Sequence, residues 1–277
     1  MTRRRRKGEL KPVFLSDERT LRSSTIREEL TWAGPRPGLD AAQADKKNYA
    51  EALSRALAQR FADLLRSDFA GILPNPDGSG QESKARTGKG LKKLDVNYST
   101  IELGLGLGLS VKTLNFRDAR SKRYTKNYTR VDNELRAEAA DYHERQPYAV
   151  MIAVVFLPVD SCFDGGRSPS SFGQAVQIFR SRAGRRSKSD DPTLFERIVI
   201  GLYDADENGT EFGSVQFFDV EAAPPKNGFP SDAFCLQKFI ESVIQTYDAR
   251  NKATFVWADG KQETLSPPPA EVDDDGN

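Results

Sequence analysis

Apolar positions along the chain follow a helical period in some stretches and an extended one in others, and the order of these stretches predicts the architecture. Leu53, Leu57, Phe61, Leu64 and Leu65 recur at helical spacing within Asp45 to Phe69, which predicts an amphipathic helix. Pro74 to Gly90 is polar and turn-rich and reads as a linker. Leu91 to Phe116 reads as two strands joined by a tight connection. Asn133 to Arg145 reads as a helix with Leu135, Ala139 and Tyr142 inward, and Tyr148 to Leu157 as a buried Val/Ile-rich strand. A helix over Phe172 to Arg182, a hairpin of Arg197 to Tyr203 with Gly213 to Val220, and a helix over Asp232 to Tyr247 follow. Ala253 to Leu265 closes as a hairpin around Asp259-Gly260. This order predicts an α/β fold with a mixed central sheet flanked by helices.

The 277 residues suit one large domain or two small ones. Residues 1–44 are charged and Gly/Pro-punctuated, and read as a basic, partly flexible arm with one short helix near Thr25 to Trp32. Residues 45–265 read as a single domain, and 266–277 as an acidic disordered tail with Glu271, Asp273, Asp274 and Asp275. No run approaches the ~18 apolar residues that span a bilayer. Met1 to Lys7 is charged without a following apolar segment, so a cytoplasmic protein without a signal peptide is expected. Cys162 and Cys235 read as inert thiols, and with His143 the only histidine a Cys/His zinc site is excluded. The net charge of +1 is a balance of patches: the 112–130 and 180–188 stretches are basic and the tail is acidic.

The most unusual segment is Leu103 to Lys112, in which Leu and Gly alternate before Ser110, Val111 and Lys112. Alternation puts the leucines and Val111 on one face, and the glycines, Ser110 and Lys112 on the other. Glycines in a strand interior mark close approach of a ligand or of another element. Tight packing of a helix and an open ligand face are both consistent with that pattern. If Leu94 to Thr100 pairs with Gly106 to Leu114, Asp95 sits across from Ser110, which brings a carboxylate and the Lys112 ammonium together. Glu102 falls in the connection and is a poor partner.

The order of a first helix, an Asp-bearing hairpin, a helix and a buried strand over Asn48 to Leu157 resembles the restriction-endonuclease-like nuclease superfamily and its PD-(D/E)xK motif. Asp95 matches the hairpin aspartate and Lys112 the terminal lysine. Leu94 stands in place of the motif's proline and Ser110 in place of its second acid. Some restriction enzymes of this superfamily carry Ser-x-Lys here and supply the acid from the following helix, where Glu134 and Glu138 share a face. Glu134 is the preferred migrated ligand, in the first turn of the predicted helix. Glu51, on the first helix, is a further candidate.

The resemblance implies a Mg2+-dependent endonuclease, with Mn2+ as a possible substitute, that acts on DNA in restriction or another bacterial defence role. Asp95 and Glu134 would hold the metal, Lys112 would stabilise the attacking water and the transition state, and Ser110 would support by hydrogen bonding. A homodimer or defence-system partner subunits are also implied. The alternative is a catalytically inactive nuclease-fold subunit that binds nucleic acid or acts as a scaffold. Arg120, Lys122, Arg123, Lys126 and Arg130, interleaved with Tyr124 and Tyr128, suit a nucleic-acid groove; Arg185 and Arg186 could reach a second phosphate stretch. Asp204 to Asn208 opens like a calcium loop but has Val215 where a bidentate Glu is required, so it reads as a hairpin turn. His143 reads as a structural histidine.

Overall fold

The computed structural model describes residues 24–101, 104–251, 254–256 and 262–264. A mixed five-stranded sheet, flanked by helices, forms its centre. Two helices come first, α1 (Arg27–Ala33) and α2 (Gln43–Leu65), followed by a hairpin of β1 (Ser83–Thr87) and β2 (Gly90–Leu94). Next are β3 (Val96–Thr100), β4 (Gly104–Thr113), α3 (Tyr128–His143), β5 (Val150–Pro158), α4 (Ser171–Phe179), β6 (Arg197–Tyr203), β7 (Val215–Asp219) and α5 (Leu236–Asn251). The short strands β8 (Thr254–Val256) and β9 (Gln262–Thr264) pair at the end. The sheet runs β3-β4-β5-β6-β7, with β4, β5 and β6 parallel and both outer pairs antiparallel.

Every residue of β5 is buried, because helices cover both of its faces. Val150, Ile152, Val154 and Phe156 face one apolar layer with Leu53, Leu57 and Phe61 of α2 and Phe239 and Val243 of α5. Met151, Ala153, Val155 and Leu157 face the other, with Val131, Leu135 and Ala139 of α3 and Phe172, Val176 and Phe179 of α4. The period-2 alternation of one strand thus divides the core into two layers.

Most predicted elements are present within a few residues of their expected ends, and the differences have physical causes. The stretch read as a linker holds β1, whose Ala85 and Thr87 are buried. Two apolar or half-apolar positions among lysines and arginines leave no visible period. Ile26 and Leu30, within the stretch read as an arm, are buried in the α2–α5 layer. The last helix begins at Leu236 because Phe234 instead pairs with Phe217 of β7. The turn expected at Asp259-Gly260 lies outside the described residues.

The glycine strand departs most from expectation. Tyr98 pairs with Leu107 but Ser99 with Leu105, so Gly106 is an extra residue, a β-bulge. The bulge reverses the alternation. Leu107, Leu109 and Val111 enter the α2–α5 layer while Leu105 enters the α3–α4 layer. Nor is the glycine face open. A Cβ on Gly108 would come within 2.7 Å of Met151 Sδ and 3.1 Å of Leu94 Cδ1, and one on Gly106 within 3.2 Å of Tyr98. These glycines admit packed side chains, and the expected bare face for a ligand is corrected on that ground. Cys162 is buried, which pushes its thiol pKa up, and Cys235 is half-buried; neither is in a disulfide.

Candidate functional site

The strand β3 stops pairing with β4 at Val96–Leu109, so from Ser110 onward β4 is an open edge on that side. An open edge leaves backbone groups to be satisfied by other means. The Val111 N–H donates to Asp95 Oδ2 at 2.7 Å, and the Val111 carbonyl accepts from Ser54 Oγ of α2 at 3.2 Å. Asp95 is therefore held where the missing strand partner would lie. The neighbouring side chains Ser110 and Lys112 project toward α3. There Ser110 Oγ donates to Glu138 Oε2 at 2.9 Å, and Lys112 Nζ lies 3.2 Å from the same oxygen. Tyr142, one turn along α3, donates its hydroxyl to the Lys92 and Lys93 carbonyls and so anchors the end of β2 that leads into Asp95.

Charge binds the cluster together. Burial pushes the Asp95 pKa up to about 6, with Glu138 adding to the rise and Lys112 and the Val111 N–H opposing it. Burial alone would depress Lys112, but the charges of Glu138 and Asp95 outweigh it and raise its pKa. Lys112 therefore stays a cation at neutral pH and cannot serve as a general base. Its side chain is 23% exposed and that of Glu138 14%, so the pair is reachable from solvent. Asp95 Oδ1 and Glu138 Oε1 accept no hydrogen bond among the described residues. Each carboxylate thus keeps one oxygen for something else.

Asp95, Ser110 and Lys112 come together, and the helix acid beside them is Glu138. Glu134 lies one turn earlier, 42% exposed, and pairs with Arg130. Helix geometry explains this. From the middle of the Val131–Leu135–Tyr142 stripe, at 3.6 residues per turn, Glu138 is rotated by roughly 40° and Glu134 by roughly 80°. The helix also begins at Tyr128, so Glu134 is not in its first turn. The signal that separates the two glutamates was therefore the stripe itself. Glu51 is exposed and pairs with Lys47 at 3.6 Å.

The basic loop is more self-contained than its sequence suggests. Tyr124 and Tyr128 are buried, their hydroxyls donating to Asp160 and to the Ser171 carbonyl, so neither is free to stack on a base. Arg123 donates to the Pro169 carbonyl, Lys126 pairs with Asp118, and Arg130 with Glu134. Arg120 and Lys122 are exposed and have no side-chain partner among the described residues. Arg185 is 1% exposed and faces Glu196, so it cannot reach a phosphate; Arg186 pairs with Glu221. His143 is buried against Glu196 and the Pro192 carbonyl, a structural position.

No family model, curated protein or solved structure matches this chain. The site has to be judged by its own chemistry. Two carboxylates with one spare oxygen each suit a hard cation such as Mg2+, which takes one or two carboxylates and keeps waters or substrate phosphates as its other ligands. No cluster of three or more His, Cys, Asp or Glu side chains that could hold a metal occurs among the described residues. A metal here would therefore keep most of its positions for water and substrate.

Proposed function

We propose that the chain is a Mg2+-dependent endonuclease that hydrolyses phosphodiester bonds of DNA on a restriction-endonuclease-like scaffold. The observation that carries this reading is the convergence of Asp95, Ser110, Lys112 and Glu138 at the open edge of β4. It is supported by the element order: α2, the β3–β4 hairpin with Asp95 just before it, α3 and the buried β5 follow the order the resemblance implies, with the β1–β2 hairpin as an addition. Asp95 and Glu138 would hold the metal, which when bound would neutralise phosphate charge and lower the pKa of a bound water. Lys112, kept protonated and fixed by Glu138, would orient the attacking water and stabilise negative charge as it builds at phosphorus. Ser110 is a positioning residue that holds Glu138. As in the restriction enzymes it resembles, foreign DNA would be the natural substrate, with Arg120 and Lys122 available to its phosphates.

The test is plasmid nicking with Mg2+ or Mn2+ by the wild type, Lys112→Ala and Glu138→Gln. Cleavage by the wild type that both substitutions abolish supports the nuclease. DNA binding without cleavage under any of these conditions would instead make the chain a nuclease-fold binding subunit, and the absence of both would remove the nucleic-acid reading.

A further inference from the structure

The hairpin of β1 and β2 carries Lys84, Arg86, Lys89, Lys92 and Lys93 and runs directly into Asp95. One of its faces is fixed to the body of the protein. Ala85 and Leu94 are buried in the α3–α4 layer, Lys92 and Lys89 pair with the buried Asp141 of α3, and the Gly88 N–H donates to the Asp141 carbonyl. The register puts Lys84 opposite Lys93 and Arg86 opposite Leu91 on the other face. All four are exposed, Leu91 to 61%. Lys93 pairs with Glu82, whereas Lys84 and Arg86 have no ion pair or side-chain hydrogen bond among the described residues. Like charges directly opposite each other weaken a β-ribbon, so Lys84 facing Lys93 costs the free protein stability that a bound anion would restore.

We infer that this outer face is a duplex-DNA grip: the ribbon enters the major groove and Lys84, Arg86 and Lys93 contact backbone phosphates. A two-stranded ribbon matches the ~12 Å width of that groove, and five-residue strands reach about 17 Å along it. The inference rests on the nuclease reading in one respect only, that the gripped strand is delivered to Asp95; the binding itself does not depend on cleavage.

The experiment is fluorescence anisotropy of a labelled 20-bp DNA duplex against salt, in EDTA so that no cleavage occurs. The plot of log K against log salt should become shallower by about 2 in Lys84→Ala/Arg86→Ala, since each lost phosphate contact removes about 0.9. The equal charge loss in Lys226→Ala/Lys238→Ala, remote from the hairpin in sequence, should leave the slope unchanged. Thermal melts should match the wild type or rise slightly, because both side chains are exposed and Lys84→Ala removes the like-charge pair with Lys93. The inference is overturned if the wild type does not bind duplex, if the hairpin variant keeps the wild-type slope, or if both variants lose slope equally. Loss confined to single-stranded DNA or RNA would also overturn it. Hairpin-dependent binding with no cleavage in Mg2+ would overturn the nuclease reading and leave the grip standing.

Discussion

The helix α3 carries one member of each of two charge clusters, and they are built on opposite plans. Glu138 belongs to the cluster at the open edge of β4, with two side chains on one of its oxygens and, among the described residues, none on the other. Five residues on, His143 belongs to a cluster around Glu196, which has no exposure at all. There the Met151 N–H donates to Glu196 Oε2 at 2.8 Å, and Arg250 Nε donates to Oε1 at 3.1 Å with Arg185 Nε 3.4 Å from the same oxygen. Other guanidinium donors go to carbonyls, Arg185 to those of Pro147, Lys188 and Asp190 and Arg250 to that of Pro147, while Arg185 Nε faces Glu196 without a hydrogen bond. This second cluster joins the 180–196 segment and the end of α5 to β5. Breaking a buried charge pair is costly, so the enclosed cluster ties the fold together, whereas the one beside solvent leaves room for a ligand.

Removing Glu196 should have the largest effect. Glu196→Ala leaves two buried arginines without their carboxylate and should cost about 3–5 kcal/mol in urea unfolding. A loss under about 1 kcal/mol would erase the distinction between the clusters. Glu138→Gln and Lys112→Ala should each reduce DNA cleavage by about 100-fold or more, while costing only about 1.5 kcal/mol of stability. If they unfold the chain as Glu196→Ala does, the open cluster is structural too.

The next prediction concerns pH in metal-free protein. The Asp95 pKa is raised from 3.8 to about 6, so the folded state binds that proton more tightly than the unfolded one. Its contribution to stability is full below pH ~4 and is lost as pH rises through about 6. Asn at this position can still accept from the Val111 N–H but carries no charge. Asp95→Asn should therefore equal the wild type at pH 4 and exceed it by about 1 kcal/mol at pH 7, a figure reduced for solvent screening at a partly exposed carboxylate. Equal stability at both pH values would show that the burial of Asp95 has no energetic consequence. The smallest effect is expected for Glu134→Gln, which removes only an exposed i,i+4 pair with Arg130. Both stability and cleavage should stay within about 0.5 kcal/mol of wild type, and a large fall in cleavage would transfer Glu138's role to Glu134.

The layers of the fold were legible because their signals are periodic. The α2 and α5 stripes and the continuous apolar run of β5 announce faces that must be covered. The register that sets Val96 against Leu109, and so brings Asp95 beside Ser110 and Val111, was legible for the same reason, since a strand register follows its alternation. The bulge at Gly106 was not, because a glycine that interrupts alternation and one that continues it look the same in sequence. Charged residues were least legible. Arg185 in the interior and Arg120 in solvent are the same letter, and what separates them is Glu196, whose contact with Arg185 no local period announces. The β1–β2 hairpin was hidden similarly, its inward face being announced only by Ala85, Thr87 and Leu94.

The hydrogen bond from the Val111 N–H to Asp95 has a consequence for assembly. An unpaired strand edge is a template on which another chain can add a strand. At β4 that template is blocked by side chains, Asp95 on the N–H and Ser54 on the carbonyl. A carboxylate between strands also repels an incoming backbone carbonyl. Asp95 thus keeps the sheet finite, and an apolar substitution there would remove a guard against edge-to-edge aggregation as well as a candidate metal ligand.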